Sequence, residues 1–189
     1  MARKSARQRA KSRRLVAWAV TVSAVVGLVV IVAVTRPQPE AGTVAVGQAT
    51  SGEAAPLVEM VDFDDVPLSL SEYVGTPVVL NFWASWCPFC IAEMPDFEQV
   101  HKDAGESVAF LGVNLQDDPS SATRLAGETG VTYRLARDPQ GVVYQAFGGI
   151  AMPTTVFIDA EGLVREVVTG QMSQSQLRTK IAEHFSVDV

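Results

Sequence analysis

The sequence predicts an α/β domain with a mixed central sheet, on three observations. Apolar runs of strand length alternate with helical segments through most of the chain. Near the C-terminus, two strand candidates flank a turn at Glu161–Gly162, which is typical of a hairpin. One long strand candidate runs directly into a helix start that carries both cysteines of the chain, Cys87 and Cys90. Alternating strands and helices favour an α/β arrangement, and the closing hairpin makes the sheet mixed.

The strand candidates are short or uniformly apolar, as buried strands are. The first two, "LVEMVDF" and "VPLSL", surround a turn at Asp64–Asp65. The later ones are Pro77–Ala84, Ser107–Leu115, a short stretch within "VTYRLARD" and the two arms of "PTTVFIDAEGLVREVVTG".

The helix candidates have recognisable ends. Pro88 suits the first position of a helix, which makes Cys87 the N-cap residue. Ser173 suits the N-cap of the last helix. The four predicted helices are the one that starts at Pro88, Pro119–Gly130, "PQGVVYQAFG" and "SQSQLRTKIAEHF".

The N-terminal region differs in composition from the rest. Residues 1–14 hold seven basic residues and no acidic one, and residues 15–35 hold no charge. As a helix rising about 1.5 Å per residue, residues 15–35 would span roughly 31 Å, enough to cross a bilayer. Because basic flanks stay in the cytoplasm, the rest of the chain is expected outside. We predict a basic cytoplasmic segment over 1–14 and a transmembrane signal-anchor over 15–35.

There are two alternatives to the signal-anchor. A cleaved signal peptide normally has an apolar core of about 7–15 residues, which is shorter than this run. A buried core helix is disfavoured because no face of the segment is polar. Residues 36–55 are small, polar and rich in Gly, Pro and Ala, which predicts a flexible linker. The globular domain is expected over 56–189.

The charge balance bears on the partners of this domain. From Pro37 onward the chain has 21 acidic and 7 basic residues, a net charge of −14. Nucleic-acid binding needs a basic face, so no nucleic-acid partner is expected.

The Cys-x-x-Cys pair allows four interpretations. A disulfide that closes so short a loop gains little entropy, so a purely structural role is disfavoured. A zinc site needs four ligands, and His101 and His184 show no spacing that completes one. Two unrelated thiols are the third possibility. A redox-active dithiol is favoured, because a helix N-terminus stabilises a thiolate at the first cysteine and the second can then resolve a mixed disulfide.

Several motifs together resemble the thioredoxin superfamily: "NFWASWCPFC", "EMP", "GVN" and "MPTTVFID". Within it, the chain resembles the membrane-anchored TlpA/ResA/DsbE-type thiol–disulfide oxidoreductases, from roughly Pro56 to the C-terminus. This resemblance implies a thioredoxin-like fold with a central helical insertion near Pro119–Gly130. It also implies a cis peptide bond at Met152–Pro153, packed against the cysteines.

The resemblance and the thiol chemistry together suggest roles for three catalytic residues. Cys87 would be the exposed attacking thiolate and Cys90 the buried resolving thiol. Glu93, one turn beyond Cys90, resembles the acid that manages the proton of the buried thiol in this family. A surface helix glutamate is the alternative for Glu93. Asn81 stands where thioredoxins have a buried Asp, which leaves the acid–base role vacant.

Client binding is assigned to residues around the cysteines. Trp86 would shape the docking surface, with plain core packing as its alternative. The backbone of Met152 would pair with an extended client segment, and an ordinary strand-start proline is the alternative for Pro153. Pro88 and Phe89, between the cysteines, would shape the site and tune its reduction potential.

The direction of electron flow stays open at this point. The family contains reductants that prepare apocytochrome c for haem attachment and oxidants that install disulfides in exported proteins. The Pro88–Phe89 dipeptide looks more like the oxidant DsbA than like the reductants of this branch.

Two other functions are alternatives to thiol–disulfide exchange. A tethered peptide-binding module or chaperone would use the same fold without redox chemistry. A thiol peroxidase would need a Pro-x-x-x-Thr-x-x-Cys arrangement, which this chain does not contain.

The expected setting is a bacterial cell membrane, crossed once, with the catalytic domain outside. Four lysines against 11 arginines is a composition typical of GC-rich bacterial genomes. No cofactor or metal is expected. The expected partners are cysteine-containing client proteins, with apocytochrome c as one candidate, and a membrane redox protein that resets the cysteine pair.

Overall fold

The computed structural model describes residues 51–189, which contain one seven-stranded mixed sheet. The strands lie in the order β2-β1-β5-β4-β3-β6-β7. Their bounds are β1 Met60–Val61, β2 Pro67–Leu68, β3 Val78–Trp83, β4 Ala109–Leu115, β5 Arg134–Asp138, β6 Thr154–Ile158 and β7 Val164–Thr169. The predicted α/β class and mixed sheet are therefore confirmed.

Strand β3 is the centre of this sheet, and its sequence explains why. All six of its residues are buried, which suits the uniformly apolar run that predicted it. It pairs in parallel with β4, with Trp83 opposite Asn114. It pairs antiparallel with β6, with Asn81 opposite Thr155. The predicted hairpin is formed by β6 and β7.

Two large apolar clusters cover the two faces of the sheet. Successive strand residues point to opposite faces, and β3 follows this rule. Leu80 and Phe82 join the cluster that contains Phe147, whereas Val79 joins the cluster that contains Phe97. Helical segments therefore pack on both sides of β3.

The helices start and end close to the predicted positions. Their bounds are α1 Pro88–Ala104, α2 Pro119–Thr129, α3 Val142–Ala146 and α4 Gln174–Phe185. Cys87 is the N-cap of α1 with Pro88 in its first turn, and Ser173 is the N-cap of α4. Helix α2 is the predicted central insertion and ends at Gly130 in the left-handed conformation.

The folded domain includes residues that were predicted to be linker. Gly52 N–H donates to the Val164 carbonyl over 2.7 Å, and Ala55 N–H donates to the Gly162 carbonyl over 2.8 Å. Ala54 also forms a bridge with Leu163. The linker was expected to extend to residue 55, but these contacts hold residues 52–55 against the turn before β7 and its first residue. The domain therefore starts before Pro56.

The membrane prediction lies outside the described residues. Within residues 51–189, no helix combines the length and apolar character that crossing a bilayer requires. The basic segment 1–14, the signal-anchor 15–35 and the linker up to residue 50 all precede this range, so they stay predictions.

Candidate active site

The two cysteines form a disulfide at the N-terminus of α1. Cys87 is the N-cap residue, and its sulfur accepts a hydrogen bond from the Cys90 backbone N–H over 3.2 Å. The polypeptide reaches this position through a tight turn in which Cys87 N–H donates to the Ala84 carbonyl. Unpaired N–H groups at a helix N-terminus favour negative charge on such a sulfur. The geometry therefore suits a thiolate at Cys87.

The exposure of Cys87 differs from the prediction. It was expected to be exposed, but it is buried, with 4% of its surface accessible. Its sulfur is bonded to Cys90 and belongs to an apolar cluster with Trp83 and Met94. Cys90 is completely buried, as predicted. In the disulfide form, both sulfurs are thus part of the core that the helix N-terminus covers.

Two large apolar side chains next to the cysteines in sequence, and one in the loop before β6, are exposed instead. Trp86 is 58% exposed, which excludes the core-packing alternative for it, and Phe89 is 62% exposed. Ile150 is 81% exposed, and the sequence analysis did not single it out. Its only signal in the sequence was an apolar residue two positions before Met152.

The loop before β6 contains the predicted cis peptide bond, Met152–Pro153. Pro153 is buried, and Met152 packs against the apolar cluster that contains both cysteines. The Ala151 carbonyl accepts hydrogen bonds from the Tyr144 hydroxyl over 2.9 Å and from the Thr154 hydroxyl over 2.7 Å. These bonds hold the loop beside the disulfide.

Glu93 is fully buried, so it is not a surface glutamate. Its carboxylate accepts hydrogen bonds from Asn81 Nδ2 over 2.8 Å and from the Met172 N–H over 2.9 Å. Burial raises the pKa of Glu93 to about 7, even though both hydrogen bonds act to lower it. A group with a pKa near 7 can both take up and release a proton under physiological conditions. Glu93 and Cys90 are one helical turn apart and both are buried.

Asn81 can partner both protonation states of Glu93. In this structure its Nδ2 donates to Glu93 and to the Thr155 hydroxyl (3.2 Å), while its Oδ1 has no partner. A carboxamide carries a donor and an acceptor that exchange places on a half-turn. Turned in this way, Oδ1 would accept from a protonated Glu93. Thr155 lies in the "MPTTVFID" motif but was not predicted as a site residue.

The two histidines are occupied elsewhere. His101 packs against the rings of Phe110 and Tyr133, with ring centroids 5.4 and 5.8 Å away. His184 Nε2 lies 2.6 Å from a Glu166 oxygen. Glu166, Glu183 and His184 are close enough to share a cation, but the Lys180 ammonium already lies about 3 Å from each glutamate.

Comparisons with known proteins agree with this geometry. A family model described as Redoxin matches residues 50–183. The thiol-disulfide oxidoreductase ResA of Geobacillus kaustophilus is 33% identical over 129 residues, which is 67% of this chain and 73% of that protein. The ResA of Bacillus subtilis is 30% identical over 129 residues, with 68% and 72% covered.

Solved structures give the same result. A putative thiol:disulfide interchange protein DsbE from Chlorobium tepidum superposes with a TM-score of 0.66 at 26% identity, covering 72% of this chain and 98% of that one. A secreted Mycobacterium tuberculosis disulfide oxidoreductase, described as homologous to E. coli DsbE, gives a TM-score of 0.62 at 28% identity, with 67% and 96% covered. The chain therefore belongs to the redoxin family and, within it, is a thiol–disulfide oxidoreductase of the ResA/DsbE type.

Proposed function

We propose that this oxidoreductase acts outside the cytoplasm, tethered to the membrane, and exchanges disulfides with client proteins through Cys87 and Cys90. The observation that carries the proposal is a disulfide at a helix N-terminus, with Glu93 buried one turn beyond Cys90. The first feature favours a nucleophilic sulfur, and the second provides a proton acceptor close to neutral pH.

The proposed reaction exchanges two electrons between the cysteine pair and one client disulfide. In the reducing direction, the Cys87 thiolate attacks a client sulfur, and the first client cysteine leaves as a thiolate. Glu93 accepts the Cys90 proton, and the Cys90 thiolate attacks the Cys87 sulfur. The mixed disulfide breaks, the second client cysteine leaves as a thiolate, and Cys87–Cys90 is oxidised. The oxidising direction reverses each step.

The client-binding surface in this proposal surrounds the disulfide. The exposed Trp86 and Phe89 contact the client, and Pro88 fixes the helix start between the two cysteines. The Met152 backbone, next to Pro153, pairs with an extended client segment as an added strand. The position of Met152 against the cysteine-containing cluster supports this assignment.

The proposed location rests on the N-terminal sequence. The uncharged residues 15–35 and the basic residues 1–14 support a location of the domain on the outer side of a bacterial membrane. A membrane redox protein then resets the cysteine pair after each turnover, because the chain carries only two cysteines.

Two client classes are each supported by one observation. Similarity to proteins named ResA supports apocytochrome c, whose cysteines must be reduced before haem attachment. The Pro88–Phe89 dipeptide supports oxidative folding of exported proteins, because it resembles that of DsbA. The reduction potential separates these classes: a value near or above about −180 mV supports an oxidant, and one at or below about −250 mV supports a reductant.

The experiment that tests the function uses full-length protein and a cysteine-containing client peptide. Cys90→Ser should accumulate a mixed disulfide at Cys87, whereas Cys87→Ser should accumulate none and should lose all turnover. A Cys87→Ser variant that retained full activity would support a non-redox binding module instead. Titration of the wild type in glutathione buffers gives the potential and assigns the client class.

A further inference from the structure

Asp117 lies in the loop after β4, and neither the sequence analysis nor the proposed reaction uses it. Its carboxylate accepts four hydrogen bonds. Ser85 contributes two of them, from its backbone N–H over 2.6 Å and from its hydroxyl over 2.8 Å. The other two come from Asn114 Nδ2 over 3.1 Å and from the Asp118 N–H over 2.9 Å.

These bonds join the loops that follow two neighbouring parallel strands. Trp83, the last residue of β3, lies opposite Asn114 near the end of β4. Asn114 is buried, so its amide gives Asp117 a rigid support from within the sheet. Ser85 lies two residues before Cys87, so the loop leading to the disulfide is held through Asp117 to β4.

The four donors favour the ionised form of the Asp117 carboxyl group, and the direction of its pKa shift agrees. Burial alone would raise the pKa of Asp117, but the hydrogen bonds from Ser85, Asn114 and Asp118 outweigh it and lower the pKa. Hydrogen bonds to an ionised acceptor are shorter and stronger than neutral ones. The bond from the Ser85 N–H has this character.

The segment that Asp117 holds, residues 85–87, contains groups whose positions the reaction depends on. Trp86 follows Ser85 and has no side-chain hydrogen bond among residues 51–189, yet it stands exposed beside the disulfide. Cys87 must keep its sulfur at the helix N-terminus while a client disulfide approaches in line. A displacement of the reacting group by about 1 Å can slow a reaction on the order of a hundredfold. Fixing the position of Ser85 is therefore expected to raise the rate of exchange.

We propose that Asp117 is a positioning residue for disulfide exchange: its carboxylate fixes the Ser85 backbone and thereby orients Trp86 and the Cys87 sulfur toward the client. The proposal rests on the proposed role of Cys87 as the attacking sulfur. Asp117 contacts neither the sulfurs nor the client, and it acts only through Ser85.

The chain offers a matched control one residue away. Asp118 is the N-cap of α2, and its Oδ1 accepts from the Ser121 N–H over 2.9 Å. Asn is as good an N-cap as Asp. Asp118→Asn therefore removes the same charge beside the same loop and leaves the bonds to Ser85 intact.

The test measures mixed-disulfide formation with a client disulfide peptide, using reduced full-length protein in which Cys90→Ser prevents resolution; this protein is the wild-type reference for the variants. The temperature is one at which every variant is fully folded. Asp117→Asn replaces one of the two carboxylate oxygens that accept from Ser85 with an amide nitrogen, which cannot accept. The rate should therefore fall about tenfold. Ser85→Ala, which loses only the hydroxyl bond, should lose about two- to threefold. Asp117→Glu should recover part of the rate, and Asp118→Asn should match the wild type.

Two further readouts separate positioning from general stabilisation. Backbone amide exchange at Ser85 should accelerate in Asp117→Asn and not in Asp118→Asn. The melting temperature should not rank the variants in the order of their exchange rates. If Asp117→Asn does not fold, Ser85→Ala and Asp117→Glu carry the test.

The outcomes that overturn the proposal are distinct from failure of the proposed function. Equal rates for Asp117→Asn and wild type, or equal losses in Asp117→Asn and Asp118→Asn, would overturn the positioning role. A Cys90→Ser reference protein that forms no mixed disulfide would instead refute the attack by Cys87.

Discussion

Glu93 and Glu98 lie five residues apart on α1, and both are buried, yet their carboxyl groups are held in different ways. Glu98 accepts two hydrogen bonds of 2.7 Å from Thr132 and lies 2.9 Å from the Lys102 ammonium. Glu93 accepts bonds from Asn81 and Met172, and within residues 51–189 no cation pairs with it. Asp96 adds a negative charge nearby.

The difference teaches which surroundings keep a buried carboxyl ionised. For both residues, burial alone raises the pKa. At Glu98 the bonds from Thr132 and the charge of Lys102 outweigh burial, and the pKa is lowered. At Glu93 burial prevails, and the pKa rises to about 7. One helix therefore carries a glutamate whose lowered pKa favours the ionised form and which joins α1 to Thr132, and a second glutamate, one turn beyond Cys90, whose pKa is raised to about 7.

The largest expected effect concerns the rate of exchange. Glu93→Gln should slow resolution of the Cys87 mixed disulfide about a hundredfold at pH 8, because general acid–base groups contribute on that order. In the wild type this rate should rise through pH 7 as Glu93 ionises, and Glu93→Gln should lose that inflection. Rapid-quench measurements across pH 5–9 check it. Glu98→Gln is the control and should keep the wild-type dependence of the rate on pH. If both variants lost the inflection, the proposed difference between Glu93 and Glu98 would be contradicted.

The next effect concerns stability against pH. Glu93 has a folded pKa of about 7 against 4.5 for the free side chain, so its contribution is complete below 4.5 and is lost as pH rises through 7. The loss is about 3 kcal/mol. Glu98 has a lowered pKa, so its contribution is present above its unfolded pKa and is lost as pH falls through the folded value. Denaturant unfolding of wild type and Glu93→Gln between pH 4 and 8 should give a flatter curve for the variant. Equal slopes would contradict the raised pKa.

The smallest effect concerns Lys102. Its side chain is 57% exposed, and exposed ion pairs contribute about 0.2–1 kcal/mol. Lys102→Ala should therefore lower the free energy of unfolding by less than about 1 kcal/mol, because Glu98 keeps its bonds to Thr132. The variant should also shift the acid limb of the stability curve upward in pH. Wild type in 1 M salt is the matched comparison, since salt screens the same pair. A loss of several kcal/mol would make Lys102, rather than Thr132, the main partner of Glu98.

Much of the site could be predicted from the sequence because its signals are local. Pro88 after Cys87 indicated a helix start, and the structure has that N-cap. The Met152–Pro153 cis bond followed from the resemblance and is present. The prediction that Cys87 is exposed was wrong, since 4% of its surface is accessible. A sequence pattern of a few residues does not show how closely neighbouring elements pack over a sulfur.

The sequence by itself determined the order of the elements, the position of both cysteines at a helix start and the family. The order of the elements and the helix start depend on periodicity, capping and turn residues, which act over a few positions. The family rests on the resemblance of the motifs around the cysteines and Pro153. Only the tertiary structure decided the chemistry of the carboxyl groups. Glu93 owes its surroundings to Asn81 and to Met172, 79 residues away, and Asp117 reaches Ser85 across 32 residues. Desolvation and hydrogen bonding between such distant residues exist only after the sheet and α1 have packed together, so no local pattern can encode them.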